Sequence, residues 1–205
     1  MRRTSAIVLV CIFGLLVPVQ AHTPALTNGK VLYVKPGGSS DCSSWPSACD
    51  LQTALATALV HDEIWVAEGV HTPGTSRFDT FQLITGVAVY GGFAGTETSR
   101  DQRDWRAHAT ILSGDLDGDD VSSIGDSFEN SLHVVTGSGV VSTAVLDGFT
   151  VSGGYADLWD FDVCGGGMLN RQGSPLAPTS PSVITLPWDG AAGCSMTEAT
   201  QRSRM

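Results

Sequence analysis

The amino-acid sequence predicts an all-β fold built as a solenoid, and two observations lead to this prediction. Short runs of β-branched and aromatic residues recur along the chain, each soon followed by a glycine that permits a sharp turn. Five such glycines lie 22, 23, 23 and 16 residues apart, at Gly69, Gly91, Gly114, Gly137 and Gly153. Nearly equal steps of about 20–50 residues are typical of solenoids. A β-sandwich, whose strands recur about every 8–12 residues, is the alternative.

Each step is predicted to be one coil, so that every strand pairs with the strand of the preceding step at the roughly 4.8 Å spacing of paired strands. The predicted domain covers residues 22–172 and holds about five coils. Ile64 and Val66 are expected to point into the core and Trp65 away from it. The predicted strands are residues 30–34, 64–66, 87–90, 110–112, 134–135 and 149–151.

A short helix is predicted over residues 51–60, near the beginning of the domain. Asp50 stands where a helix N-cap belongs, and Leu51, Ala54, Leu55 and Leu59 recur at helical spacing. The open end of a solenoid exposes its core and its unpaired strand edges, so this helix is expected to cap the first coil. A surface helix without a capping role is the alternative.

The first 21 residues have the pattern of a secretory signal peptide. Arg2 and Arg3 precede an apolar stretch over residues 6–17, and the small residue Ala21 ends a cleavage site. The stretch is too short to span a bilayer comfortably, although an uncleaved anchor is the alternative. Cys11 lies within the apolar stretch. The mature chain is therefore expected to be exported, to the cell surface or outer membrane or into the medium, with no transmembrane span after cleavage.

Export makes disulfide bonds possible, and one is predicted between Cys42 and Cys49. These two cysteines flank a short loop of Ser, Trp and Pro residues. Closing such a loop stabilises the fold by roughly 2–3 kcal/mol in the chain-entropy estimate. A metal site at these cysteines is the competing interpretation, but no histidine lies near them in the sequence.

The charge of the chain excludes some classes of partner. The 205 residues carry a formal net charge of −10. Nucleic acids and anionic membrane surfaces repel so acidic a protein, so neither is expected as a partner. Surface glycans or polysaccharides are the partners that remain.

An acidic run after the predicted strand 110–112 is the candidate metal site. Asp115, Asp117 and Asp119 alternate, so their carboxylates could converge in a turn on a hard cation such as Ca²⁺. Compared with the EF-hand loop, the run has Asp120 in place of the glycine at position 6 and Asp126 in place of the glutamate at position 12. A solvated acidic turn is the alternative, and no cofactor is required by the sequence.

The most charged segment places Arg100, Arg103 and Arg106 at steps of three among acidic residues, near one face of a helical turn. A solvated, ion-paired loop is expected there, and a clamp for a carboxylate or sugar acid is the alternative. His133 stands at the start of the predicted strand that contains residues 134–135, and it is expected to be packed or solvent-facing rather than catalytic. No catalytic residue is predicted from the sequence.

Several motifs occur in an order that resembles a known family. They read L-Y-V-K-P-G-G-S-S-D-C-S-S-W-P-S-A-C-D-L-Q-T-A-L, D-E-I-W-V-A-E-G-V, V-Y-G-G-F-A-G-T-E-T-S-R-D-Q-R-D-W, T-I-L-S-G-D-L-D-G-D-D, H-V-V-T-G, V-L-D-G-F-T-V-S-G-G and G-G-G-M-L-N. Over residues 31–173 the chain is similar to bacterial exported right-handed parallel β-helix proteins of the pectin-lyase-like superfamily, related to polymorphic outer-membrane protein repeats.

The resemblance implies a right-handed parallel β-helix and a non-enzymatic secreted or cell-surface module, adhesin-like or a structural stalk. The alternative function is a polysaccharide lyase or glycoside hydrolase of the same fold. Lyases of this superfamily use calcium-binding carboxylates and a basic residue, and Asp115, Asp117 and either Arg103 or Arg106 are the right residue types. No catalytic residue is carried over from the family, because the family has no agreed catalytic motif for this sequence to match.

The repeat pattern ends after Asn170. Residues 173–205 carry four prolines and no strand-glycine unit, so a disordered or aberrant tail is expected. Residues 178–205 can be back-translated so that a second reading frame gives D-I-T-F-S-D-N-T-A-V-G-R-R-G-G-V-F-N-D-G-G-N-P-A-L-A-D, which resembles another coil. We therefore expect a frameshift near Leu176, which would leave the β-helix truncated, Cys164 without its natural partner and Cys194 as an accident of the shift. A natural polar tail is the alternative.

Overall fold

The described part of the chain is built almost entirely from short parallel β-sheets. A computed structural model describes residues 29–120, 127–156 and 165–171. Most of its regular structure is strand, and its helix content is small, so the predicted all-β class is confirmed. The predicted signal peptide, Cys164, Cys194 and the predicted tail lie outside the described residues.

The described elements are ten strands, one α-helix and two 3₁₀ turns. The helix α1 is Leu51–Thr57, and the turns are Trp45–Ser47 and Arg100–Gln102. The strands are β1 (Val31–Val34), β2 (Glu63–Ala67), β3 (Gly69–His71), β4 (Phe81–Gln82), β5 (Ala88–Phe93), β6 (Thr110–Ser113), β7 (Val135–Thr136), β8 (Val145–Asp147), β9 (Phe149–Ser152) and β10 (Met168–Leu169).

These strands form three sheets in which every described pair is parallel. Sheet I has the order β1-β2-β5-β8, sheet II the order β3-β6-β9 and sheet III the order β4-β7-β10. From β2 onward the chain passes through sheets I, II and III in the same order three times. The structural repeat is therefore a set of three strands, one in each sheet.

The prediction that every strand pairs with the strand of the preceding step is wrong for part of the chain. Ile64 pairs with Val89 as expected, but Ile111 pairs with Val70 and Thr150 in another sheet. Of the three steps of 22 or 23 residues, the first leads from one layer to the next within sheet I, and the other two lead from one sheet to the next. Glycines follow strands at both kinds of step. The loops between the strands differ in length, so the three-strand repeat is not visible as a constant spacing in the sequence.

The interior between the sheets is filled by aliphatic side chains with two phenylalanines. Ile64 and Val66 point inward as predicted, and both are fully buried. Burial of such side chains contributes roughly 1.5–3 kcal/mol each. The core cluster includes Leu32, Val34, Ile64, Val66, Phe81, Leu83, Val87, Val89, Leu112, Val134, Val135, Phe149 and Val151.

The prediction that Trp65 faces solvent is wrong. It lies on the outer face of sheet I but is only 4% exposed, because a second cluster covers it. Its ring stacks on Phe93 with centroids 4.9 Å apart and meets Tyr33 edge-on at 5.8 Å. Trp45, from the loop after β1, completes this outer aromatic cluster. Sheet I is therefore packed on both of its faces.

The strand β5 runs further than the predicted residues 87–90, through Gly91 and Gly92 to Phe93. A Cβ atom on Gly91 would stand 2.5 Å from the carbonyl oxygen of Gly148, which belongs to the next layer of the structure. Gly91 therefore permits a close approach between layers rather than a turn.

The helix and the disulfide bond stand where the sequence predicts them. The Asp50 side chain accepts a 2.8 Å hydrogen bond from the backbone N–H of Thr53, as an N-cap does. The helix ends at Thr57 rather than at residue 60, because the backbone of Ala58 is already extended. Cys42 and Cys49 are bonded, with an S–S distance of 2.03 Å.

Candidate metal centre

The acidic segment begins where β6 ends, and backbone hydrogen bonds fix that end. The Gly114 N–H donates to the carbonyl of Ser152 at 2.8 Å, and the Ser131 N–H donates to the carbonyl of Gly114 at 2.9 Å. The chain that leaves β6 at residue 114 therefore returns beside the same residue at 131. Residues 121–126 of this loop lie outside the described part.

A turn centred on Asp115 shapes the first half of the loop. Its Oδ1 accepts hydrogen bonds from the backbone N–H groups of Gly118 at 2.7 Å and Asp119 at 3.2 Å. Aspartate side chains favour such turns because the carboxylate replaces a backbone acceptor. Gly118 has a φ of +81°, a conformation that glycine adopts without steric cost.

A second set of contacts joins the two described ends of the loop. Asp120 Oδ1 accepts from the Ser127 hydroxyl at 3.1 Å, and Asp120 Oδ2 accepts from Asn130 Nδ2 at 2.7 Å. Asp120 thereby connects the two described ends of the loop through both of its carboxylate oxygens.

Four carboxylates converge between these two sets of contacts. One oxygen each from Asp115, Asp117, Asp119 and Glu129 lies within 4.8 Å of all the others. Asp117 and Asp119 are exposed, and Asp115 and Glu129 are half-buried. The three predicted aspartates are therefore brought together by the structure, and the fourth carboxylate comes from a residue that the sequence reasoning missed.

Glu129 differs from the exposed carboxylates of the cluster in the environment of one of its oxygens. Its Oε1 atom is buried and, within the described residues, has no hydrogen-bond partner. A buried anionic oxygen without a partner is costly, and a cation is the partner that would relieve this cost. The neighbouring Asn130 Oδ1 and Ser131 Oγ are likewise buried without a described partner.

The dimensions of the cluster suit a large, hard cation. Ca²⁺ binds oxygens at about 2.3–2.6 Å, so two of its ligands stand at most about 4.6–5.2 Å apart. Mg²⁺ binds at about 2.0–2.1 Å, which limits the same separation to about 4.2 Å. A cluster whose oxygens lie within 4.8 Å of one another fits the calcium range. Carboxylate oxygens are also the ligands that Ca²⁺ prefers.

The arginines are engaged elsewhere. Arg100 Nη1 lies 2.7 Å from Glu63 Oε1, and Arg103 Nη2 lies 2.7 Å from Asp147 Oδ2. Arg106 stacks over the Trp105 ring at 4.5 Å. The expected ion pairs are therefore present for Arg100 and Arg103, with strand carboxylates rather than the neighbouring aspartates as partners. The expected solvation is wrong for Arg103, whose side chain is only 16% exposed. Neither arginine forms its ion pair with the acidic cluster.

The described histidines stand apart from the acidic cluster. His133 precedes β7, is half-buried, and contacts the Gly165 carbonyl through Nδ1 at 3.0 Å, which agrees with the packed position expected for it. His71 is buried in β3, and burial lowers its pKa. His108 has a raised pKa because its Nδ1 forms a 2.9 Å hydrogen bond with the carboxylate of Glu68.

Comparisons with known proteins do not assign this chain to a family. No protein-family model, no curated protein and no solved structure matches the chain. Among the described residues, no helix has the length and apolar character needed to cross a bilayer. The fold class and the acidic cluster are therefore the two features of the chain that bear on its function.

Proposed function

We propose that this chain is a non-enzymatic, exported module of parallel β-helix type, used as a surface stalk or an adhesin-like binding surface. The observation that carries the proposal is the repeated passage of the chain through sheets I, II and III in one order, with each described pair of strands parallel. Parallel stacking of this kind gives a rigid rod whose surface repeats from layer to layer. Such a rod holds a binding surface away from its anchor and needs no catalytic centre.

The pattern of burial supports the same proposal. Equivalent positions in successive layers of sheet I carry aliphatic residues that stack on one another: Leu32 pairs with Ile64, Ile64 with Val89, and Val89 with Leu146. Stacking of like residues builds a continuous core from short repeats that cannot bury their apolar face alone.

The helix α1 fits a capping role in this proposal. It contacts β1, β2 and β4, and it buries Leu51, Ala54 and Leu55 in the main core. The strands β1 and β4 are the end strands of sheets I and III. A helix in this position shields the first layer from water and from pairing with other chains.

A direct test of the non-enzymatic role uses the refolded full-length chain. It is incubated with pectate, alginate and other uronate polymers, with and without Ca²⁺, and new unsaturated chain ends are measured. We expect none to form above a heat-denatured control. Unsaturated ends that disappear in Asp117→Asn or Arg106→Ala variants would instead support a polysaccharide lyase and contradict the proposal.

We further propose that Asp115, Asp117, Asp119 and Glu129 bind one Ca²⁺ that stabilises the loop between β6 and β7. The convergence of the four carboxylate oxygens and the buried, unpartnered Glu129 Oε1 support this role. The ion would offset the mutual repulsion of the carboxylates and hold Asp115 and Glu129, from the two ends of the loop, together.

Calorimetric titration of the full-length chain tests the calcium site. Ca²⁺ should bind with one-to-one stoichiometry, and Glu129→Gln or Asp117→Asn should weaken that binding by at least about tenfold, because each removes a charged ligand. Asp101→Asn, which changes an exposed carboxylate outside the cluster, is the matched control. The calcium site would be contradicted if titration gave no binding heat above that of buffer. It would also be contradicted if Asp101→Asn weakened Ca²⁺ binding as much as the cluster variants do.

A further inference from the structure

The loop closed by the disulfide covers one side of the first strand. In β1, the Tyr33 N–H donates to the Cys42 carbonyl at 3.0 Å and the Tyr33 carbonyl accepts from the Cys49 N–H at 3.1 Å. The Lys35 N–H donates to the Cys49 carbonyl at 3.0 Å. The other side of β1 pairs with β2, so the loop occupies the edge of sheet I. An uncovered edge of this kind would be a template for pairing with another chain.

Trp45 anchors this cover to the rest of the protein. Its side chain is 8% exposed and packs against Tyr33 and Phe93, with ring centroids 4.9 Å and 5.7 Å away. Its indole Nε1–H donates to the Glu97 carbonyl at 2.9 Å. The loop is therefore attached through one aromatic side chain to residues from two other parts of the chain.

The backbone of Cys42 has an unusual conformation in the closed loop. Cys42 has a φ of +63°, in the left-handed region that non-glycine residues rarely adopt. Such a residue is retained only where its surroundings hold it, and here the bond to Cys49 and the hydrogen bonds to β1 do so. Breaking the bond would allow Cys42 to relax to an ordinary conformation.

We propose that the Cys42–Cys49 disulfide is a redox latch that keeps the edge of sheet I covered. In the oxidised chain the loop is closed over β1, with Trp45 in the outer aromatic cluster. In the reduced chain the loop opens, Trp45 leaves the cluster, and the N–H of Tyr33 and of Lys35 becomes available at the edge. The remaining layers keep their pairing, because the loop bonds to Tyr33 and to Lys35, whereas β2, β5 and β8 pair with one another.

The reaction that opens the latch is thiol–disulfide exchange with a dithiol. A thiolate of the dithiol attacks one sulfur, and the resulting mixed disulfide is resolved by the second thiol of the same molecule. The S–S bond breaks, the two electrons and two protons lost by the dithiol form two cysteine thiols, and the dithiol leaves as a cyclic disulfide. Cys42 is 2% exposed and Cys49 is fully buried, so the attack requires prior opening of the loop.

Amide hydrogen exchange on the full-length chain tests the latch. Cys11, Cys164 and Cys194 are replaced by serine so that a dithiol such as dithiothreitol can act on only one bond. Reduction should raise the exchange rates of the Tyr33 and Lys35 amides by at least about tenfold, whereas amides of β6 and β9 keep their protection. Unchanged exchange at Tyr33 and Lys35 would overturn the proposal. Loss of protection throughout the chain would also overturn it, because the bond would then support the whole fold rather than a local cover.

A second variant tests the anchor without removing the disulfide. Trp45→Ala should speed reduction by dithiothreitol by at least about tenfold, because loss of a buried aromatic side chain favours the open loop. The control is Trp105→Ala, which changes a half-buried tryptophan outside the cluster. The fraction of thiols alkylated over time gives the rate. Equal rates for the two variants would show that Trp45 does not hold the latch.

Discussion

Arg103 and Asp147 form an ion pair of 2.7 Å in which the side chains are only 16% and 9% exposed. The same guanidinium donates through Nη1 to the carbonyls of Gly91 at 3.2 Å and Asp147 at 3.3 Å. Gly91 belongs to β5 and Asp147 to the neighbouring strand β8. Arg103 thus joins two strands of sheet I, and it also lies 5.0 Å from the Tyr90 ring.

Removing this arginine should destabilise the protein more than removing a neighbour. Arg103→Ala removes a mostly buried ion pair and two hydrogen bonds to backbone carbonyls, and we expect the free energy of unfolding to fall by about 2–3 kcal/mol. Arg106→Ala is the control, because that exposed side chain stacks on Trp105, a contact worth about 0.5–1 kcal/mol. Urea unfolding of both variants gives the two values. Equal losses would contradict this role for Arg103.

The close approach of two layers at Gly91 gives a second prediction. A Cβ atom there would stand 2.5 Å from the Gly148 carbonyl oxygen, so Gly91→Ala must push β5 and β8 apart. We expect this to cost about 1–3 kcal/mol, the usual range for overpacking.

Gly37 offers a matched control for this prediction. It has a φ of +68° and no atom within 4 Å of the position a Cβ would take, so only its backbone conformation restricts the residue. Asparagine tolerates that conformation, and Gly37→Asn should therefore change stability by less than about 1 kcal/mol. Thermal unfolding of the two variants compares them. A Gly91→Ala protein as stable as the parent would show that the layers are not this close.

Local signals in the sequence were sufficient for the parts of the structure that local interactions decide. The Asp50 cap, the Cys42–Cys49 bond and the inward direction of Ile64 each depend on residues within a few positions of one another or on strand alternation. The partner of a strand in a parallel sheet depends instead on the length of the loops between strands. Loops of unequal length separate the layers, so regular glycine spacing did not reveal which strands pair.

Trp65, whose position was predicted wrongly, and Glu129, which was not predicted at all, illustrate the same limit. Trp65 alternates with core residues and was expected to face solvent, but Trp45 and Phe93, distant in sequence, cover it. Glu129 joins the acidic cluster only because the Ser131 N–H bonds to the Gly114 carbonyl and so returns the loop to its start. Alternation within one strand carries no information about a second layer outside the sheet or about where a long loop returns.

The pair formed by His108 and Glu68 should be visible in a titration. The hydrogen bond that His108 Nδ1 donates to the Glu68 carboxylate raises the pKa of His108 above its usual value of about 6.5. Glu68→Gln should therefore lower the His108 pKa, as followed by the pH dependence of its ring proton shifts in NMR. Because the folded pKa is the higher one, the pair stabilises the fold fully below about pH 6.5, and this contribution disappears as the pH rises through the folded pKa. An unchanged pKa in the variant would mean that the pair does not form in solution.

His71 should make the protein sensitive to acid in the opposite sense. It is 5% exposed, and burial lowers its pKa, although its Nε2 remains hydrogen-bonded to the Ala67 carbonyl at 3.0 Å. Above about pH 6.5 the ring is neutral in both the folded and the unfolded chain and has no effect on pH dependence. As the pH falls below that value the unfolded chain takes up the proton first, so the free energy of unfolding falls until the pH passes the folded pKa.

The variant His71→Gln isolates this effect, because glutamine can still donate to the Ala67 carbonyl but does not titrate. Urea unfolding of both proteins from about pH 7.5 to about pH 5 gives the difference in their free energies of unfolding at each pH. That difference should shift steadily in favour of the glutamine variant below about pH 6.5, and the shift isolates His71 from the other titrating groups, which the two proteins share. Two curves that remain parallel over the whole range would show that His71 is accessible to protons in the folded chain without cost.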